Sequence, residues 1–360
     1  MATTPERWEQ GSEFHDLRPL AGLGSALRSP WDASPTCWTS AGRDAIRHLL
    51  VFGVQSRGWK RCWIPSYLCQ EVVAAARSTG IPCVLYGGAP GDSGPAKGLD
   101  ARRDDVVFVV HHFGLAGRPA WLDGLPAGVD TIEDHTHDPW SRWAHQSEAS
   151  YALASLRKTL PIPEGSPIWS PAGLPLPPDL PLTEERSRAA EAKRCGMKEK
   201  ARYLAGDSIE KTAFRAKLLE GETAIASGEI SGISDESRRC IQGFPSAPWR
   251  DARLANAEYF RILMADLELL ELVPWSEGST PFSCILLAPD QAIRDHLRGH
   301  LVAQGIYPAI LWPLDSPELS GVRDVDKNFS SRMLSLHCDG RYDVGDMERV
   351  FRTLEGACPS

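Results

Sequence analysis

Between residues 40 and 155 short apolar runs alternate with helical patterns, and this alternation constrains the fold more than any other feature of the chain. "SAGRDAIRHLLVFGV" (40–54) begins with small residues and then sets Ile46, Leu49 and Leu50 on one helical face. "RCWIP" (61–65) is a short strand stopped by Pro65, and "SYLCQEVVAAARSTG" (66–80) is a helix closed by Gly80. "IPCVLY" (81–86), "DVVFVVHHF" (105–113) and "GVDTIED" (128–134) read as strands buried on both faces. A β-α-β-α order predicts a mostly parallel sheet with helices on both sides. Ligands of such sheets collect at the carboxyl ends of strands, where His111 and Asp134 fall.

The rest of the chain changes character. Residues 161–181 carry eight prolines and read as a stiff extended loop at the surface or along a cleft. Residues 183–227 are charge-rich and helical, as one long helix or two, and residues 250–271 read as another long amphipathic helix. A strand ("CILLAP"), a helix ("QAIRDHLRGHLVAQGI") and a last helix ("DVGDMERVFRTLEGA") follow. The expected organisation is an N-terminal arm (1–35), a large α/β domain (36–245) and a small C-terminal α+β domain (246–360). A net charge of −8 argues against nucleic acid as the main partner. No run of 18 apolar residues suggests a membrane span, and "MATTPERWEQGSEFHDL" lacks the apolar segment of a secretory signal. Nine scattered cysteines without C-x-x-C point to reduced thiols, hence to the cytoplasm.

Chemistry concentrates in "TIEDHTHDPWS" (131–141), where Asp134, His135, His137 and Asp138 lie within five residues. A zinc hydrolase can draw ligands from H-x-H at a strand end, but the further D-H of that pattern is missing. Ser155 and Lys158 have the S-x-x-K spacing of serine acyl enzymes, yet Pro161 and Pro163 follow at once and no S-D-N or K-T-G partner appears. Taken together, the two stretches suit pyridoxal 5′-phosphate (PLP): a lysine for a Schiff base and an acid for the pyridine nitrogen. The PLP phosphate favours a helix N-terminus of small residues, and Thr39 to Gly42 followed by Arg43 supply one. Read singly, Asp134 is also a turn or cap residue and Arg43 a helix-surface charge. Of His111 and His112, one is expected in a core or cleft and the other facing solvent.

This ordered set resembles the DegT/DnrJ/StrS-type PLP-dependent aminotransferases, fold-type I enzymes. The resemblance runs through "SAGRDAIRHLL", "IPSYLCQEVVAAARSTGIPCVLY", "VVHHFGLAG", "IEDHTHD", "SLRKTLPIPEG" and "LSLHCDGRYDVGDMERV", in the family's order. It implies a large domain with a mostly parallel seven-stranded sheet plus a small C-terminal α+β domain. It further implies Lys158 as the Schiff-base lysine and Asp134 as the pyridinium partner, with Ser155, Gly42 and Arg43 at the phosphate. Tyr67, or else Cys69, would stack on the cofactor, and His137 would replace a family glutamine near the 3′-oxygen. Arg341 in "CDGRYD" would clamp a dicarboxylate amino donor. The partners implied are a small-molecule amino donor, glutamate, and a keto acceptor such as a nucleotide-linked ketosugar or natural-product intermediate, in a homodimer without metal. The chain departs from the family at Ser166, where a second glycine is usual, and in S-L-R-K. It keeps the lysine that related sugar dehydrases replace by histidine, which favours transamination. Elimination, replacement or decarboxylation on PLP, and a PLP-binding regulator or inactive relative, are the other readings.

Overall fold

The alternation in the sequence is built as a seven-stranded sheet. The computed structural model describes residues 7–17, 26–90 and 96–358; residues 1–6 and 18–25 of the expected N-terminal arm lie outside the described residues. In chain order, β1 (Gln10–Gly11) and β2 (Thr36–Thr39) lead to α1 (Gly42–Arg57), β3 (Arg61–Pro65), α2 (Gln70–Arg77) and β4 (Cys83–Tyr86). Then come β5 (Asp105–Val110), β6 (Asp130–Asp134), α3 (Arg142–His145), β7 (Tyr151–Leu153) and β8 (Ser166–Trp169). Four helices follow: α4 (Glu184–Leu204), α5 (Lys211–Ser227), α6 (Asp235–Gly243) and α7 (Ser246–Leu263). The last part holds β9 (Glu271–Leu272), β10 (Ser283–Leu287), α8 (Gln291–Ala303), β11 (Ile306–Tyr307), α9 (Asp324–Arg332), β12 (Met333–His337) and α10 (Val344–Glu355).

The large sheet has the order β2-β8-β7-β6-β5-β3-β4, and β3 to β7 are joined by parallel pairings. Strand β8 alone runs against its neighbours β2 and β7. Every residue of β5 is buried, which is why it is apolar from Val106 to Val110; the Asp105 that opens it is paired with Arg61. Helix α1 lays Ile46, Leu49 and Leu50 on this sheet and ends at Gly58, whose φ of 73° suits glycine. The order puts the carboxyl ends of β5, β6 and β7 side by side, where the candidate site is.

Three expectations need correction. The proline-rich segment is not all loop, because Ser166–Trp169 is buried as β8 between β2 and β7. The helix expected over 250–271 starts at Ser246 and ends at Leu263, since Leu270 joins the second core and Glu271–Leu272 pairs with β10. The strand read in 105–113 stops at Val110, and Phe113 at φ 54° turns the chain out of the sheet. A second sheet, β12-β10-β9, carries its own core with α7, α8 and α10. A bridging core joins Tyr67, Phe113 and Leu115 to Ile285, Leu314 and Met333. Strand β1 pairs with β11, tying the start of the described chain to its C-terminal part.

Candidate active site

The start of α1, the end of β6 and the turn after β7 line one cavity, which contains Gly42, Arg43, Asp134, His137, Ser155 and Lys158. At the head of α1 the cap position is Ala41, whose side chain cannot accept a hydrogen bond, so the first N–H groups have no side-chain cap. Gly42 keeps this end open: a Cβ there would lie 3.0 Å from Ser155 Cβ. An uncapped helix N-terminus beside a serine hydroxyl is an anion cradle.

Asp134 closes β6. Its Oδ1 accepts from the Thr136 N–H at 2.9 Å, and Thr136 Oγ1 accepts from the Ser155 N–H at 2.8 Å. Thr136 thus ties the carboxylate to the turn that bears the serine and lysine. Burial raises the Asp134 pKa, against the opposing pull of the Thr136 hydrogen bonds and the His135 and Lys158 charges. A carboxylate so buried favours a positive partner, which a protonated pyridine nitrogen supplies. Lys158 ends a 3-10 turn, Leu156–Lys158, and its backbone N–H donates to Ser155 O at 3.1 Å. Its side chain is exposed and has no hydrogen bond or ion pair among the described residues. It also lines an adjoining cavity of about 530 Å³.

The histidines of the opening motif diverge. His137 accepts the Phe113 N–H on Nδ1 at 3.0 Å and stacks on Trp312 and Phe113. Burial and the Lys158 charge hold its pKa well below the ordinary value, so the ring is neutral with its proton on Nε2. His135 bonds Glu133 at 3.0 Å, and Asp138 holds Arg250 and Arg253 of α7 at 3.0 and 3.1 Å. No common point gathers these side chains. Among the described residues, no group of three or more His, Cys, Asp or Glu is placed to hold a metal ion. His111 is buried, while His112 Nε2 donates to the Tyr67 carbonyl at 2.8 Å, its ring packed against Tyr67 and Trp312 rather than facing solvent.

Two expected residues are placed otherwise. Tyr67 is fully buried, its hydroxyl donating to Leu311 O and its ring packed in the bridging core; Leu68 and Cys69 line the cavity instead. Arg341 lines the larger cavity, but Asp339 grips its guanidinium at two points of 2.8 Å and the side chain is 1% exposed. Its remaining donor faces the Ser12 and Glu13 carbonyls. An arginine so occupied braces the N-terminal segment and has no free fork for a substrate.

Sequence reasoning missed four residues. Thr136 could have been found, since it lies two residues past Asp134 in the turn that follows β6. Arg157, beside the lysine, could also have been found. It forms a two-point pair with Glu222 (2.6 and 2.9 Å), which also takes Lys193 at 2.8 Å and Arg43 at 3.1 Å. Burial opposes ionisation of Glu222, but Arg157 and Lys193 outweigh it and hold the carboxyl well below its usual range. Trp312 and Glu222 reach the cavity from far along the chain and carry no local signal.

No family model matches the chain, and no curated protein matches it. Solved structures do. DesV of S. venezuelae, in complex with a ketimine intermediate, is 17% identical with a TM-score of 0.57, covering 93% of this chain and 91% of that one. PseC of Helicobacter pylori, an aminotransferase involved in the biosynthesis of pseudoaminic acid, is 10% identical with a TM-score of 0.63, covering 97% and 99%. A DegT DnrJ EryC1 StrS aminotransferase from Brucella abortus is 15% identical with a TM-score of 0.54, covering 89% and 85%. The fold is that of the DegT/DnrJ/EryC1/StrS aminotransferases. This fold-type I architecture extends over nearly the whole chain, including the second sheet and its helices.

Proposed function

We propose that the chain is a PLP-dependent aminotransferase that moves an amino group from a donor, glutamate, to a keto acceptor such as a nucleotide-linked ketosugar or a natural-product intermediate. The observation that carries this reading is the convergence of Asp134, Ser155, Lys158 and the uncapped start of α1 on one cavity. Bound PLP supplies an electron sink that lets an amino group leave one carbon and join another. Asp134 would hold the pyridine nitrogen protonated, and Thr136 would fix the carboxylate's orientation. The α1 N–H groups and Ser155 would hold the phosphate, with Arg43 and Arg157 adding positive charge beside them. The neutral His137 ring would offer its Nε2 proton to the 3′-oxygen. Lys158, free of other partners, would bond the cofactor and then carry the proton between substrate and cofactor carbons.

The fold shared with PseC, an aminotransferase involved in the biosynthesis of pseudoaminic acid, supports amino transfer to a sugar-type acceptor, and the ketimine intermediate held by DesV supports the cofactor. Division at residue 246 into a large and a small domain is supported by the separate cores around the two sheets. All nine cysteines are free thiols, which supports a reducing cytoplasm. Among the described residues no helix is long and apolar enough to cross a membrane. A homodimer belongs to the same reading. Absorption spectra of the purified protein with PLP, before and after glutamate, test it. A visible cofactor band that bleaches with glutamate and returns with a keto acid is the expected result. A visible band that no amino donor bleaches contradicts amino transfer, and no band at all contradicts the cofactor.

A further inference from the structure

The larger cavity beside Lys158, about 530 Å³, has a wall whose chemistry is uneven. Of the six Lys and Arg side chains in that wall, three are already matched, and a fourth is Lys158 itself. Arg157 faces Glu222, Lys211 bonds Glu9, and Arg341 is gripped by Asp339. Arg215 on α5 and Arg298 on α8 are different. Both line the cavity, both are exposed, and neither has a hydrogen bond or ion pair among the described residues. Of the two acids in the wall, Glu222 is saturated by three cations and Glu13 lies 3.8 Å from Lys193.

Side-chain hydroxyls are few. Among the described residues Ser12, Tyr307 and Ser335 are the hydroxyl-bearing side chains that line the cavity, beside the rings of His137, His337 and Trp312, and two of the three hydroxyls are engaged: the Tyr307 hydroxyl accepts from Lys211 at 2.7 Å, and Ser335 Oγ bonds Ser283 Oγ at 2.6 Å. Phe14, Phe282, Leu311 and Trp312 supply apolar and aromatic surface. A neutral, hydroxyl-rich molecule finds few open hydroxyl partners there. An anion joined to an apolar or aromatic body finds two open guanidinium groups and a surface to cover.

We infer that Arg215 and Arg298 form the specificity site for a carboxylate or phosphate group carried by the substrate at the end remote from Lys158. The inference rests on the aminotransferase reading for which molecule brings that anion, and binding alone tests it. Calorimetric titrations of the full chain, as purified and after PLP loading, would use inorganic pyrophosphate, phenylacetate and glucose as probes. At least one anion should bind and glucose should not; pyrophosphate alone assigns a phosphate-type end, phenylacetate alone a carboxylate on an aromatic body. The double variant Arg215→Gln/Arg298→Gln should lose about tenfold or more in anion affinity, the scale of one charge-assisted contact. Its PLP absorption band and melting temperature should match the parent's, because both side chains lie on the surface of their helices. Unchanged anion affinity in the double variant overturns the inference, as does glucose binding comparable to the anions, or no binding of either anion. Failure of PLP to load would instead strike the aminotransferase reading, since the anion titrations are read without it.

Discussion

Asp134 is a carboxyl group buried at a cost to the fold. Its pKa is raised, so it binds protons more readily in the folded chain than in the unfolded one. Its contribution to stability is therefore greatest at acid pH and is lost as pH rises through the folded value. At pH 7, Asp134→Asn should raise the melting temperature of the cofactor-free protein while lowering turnover by several orders of magnitude. A variant that melts lower and keeps its rate within about tenfold, ~1.4 kcal/mol in barrier, would move the pyridine partner elsewhere. Residues of this kind were legible because a strand end and a short spacing to Ser155 and Lys158 are local facts. Tyr67 was misread for a related reason. Strand-to-helix turns show which residues sit near a site but not which side chain turns inward, and its ring fills the bridging core while Cys69 faces the cavity.

Helix α5 carries the least legible part of the site. Glu222 is 222 − 157 = 65 residues from Arg157, and nothing in the helix's own pattern marks it as the counter-charge of three cations. Its partners are the more deeply buried members: the side chains of Arg43, Arg157 and Lys193 are 12%, 9% and 4% exposed, against 30% for Glu222. Glu222→Gln would leave those cations under-compensated and should destabilise the cofactor-free protein by about 2–3 kcal/mol, less than a fully buried pair because of that exposure. Added inorganic phosphate should restore part of the loss. Thermal denaturation with and without phosphate reads both effects; a variant as stable as the parent would mean the cations do not depend on Glu222. Strand β8 was hidden by similar logic. Prolines around Ser166–Trp169 mask a strand whose identity comes from burial between β2 and β7.

At the scale of the whole molecule, buried neutral histidines set the acid limit. Burial first, and then the neighbouring His135, pull the His111 pKa down to about 4, against 6.5 for the free side chain. His137 is held down in the same direction by its burial and by Lys158. Between those values the unfolded chain binds more protons, so stability present above pH 6.5 falls as pH drops toward 4. His111 alone contributes roughly 3 kcal/mol to that fall. Melting temperatures from pH 7.5 to 4 should decline steadily, and less steeply in His111→Asn; parallel curves would assign the acid sensitivity elsewhere. The mostly parallel sheet was legible because short strands such as β5, apolar from Val106 to Val110, alternate with helical patterns, whereas the contacts joining the two sheets are too distant in sequence to be read. The claim on which the functional reading turns is the bond between Lys158 and the cofactor. Borohydride reduction of the PLP-loaded protein, followed by peptide mass spectrometry, tests it most directly. A single reduced pyridoxyl adduct on Lys158, absent from a folded Lys158→Ala variant, is the predicted result; an adduct on another lysine, or undiminished labelling and turnover in the variant, would contradict it.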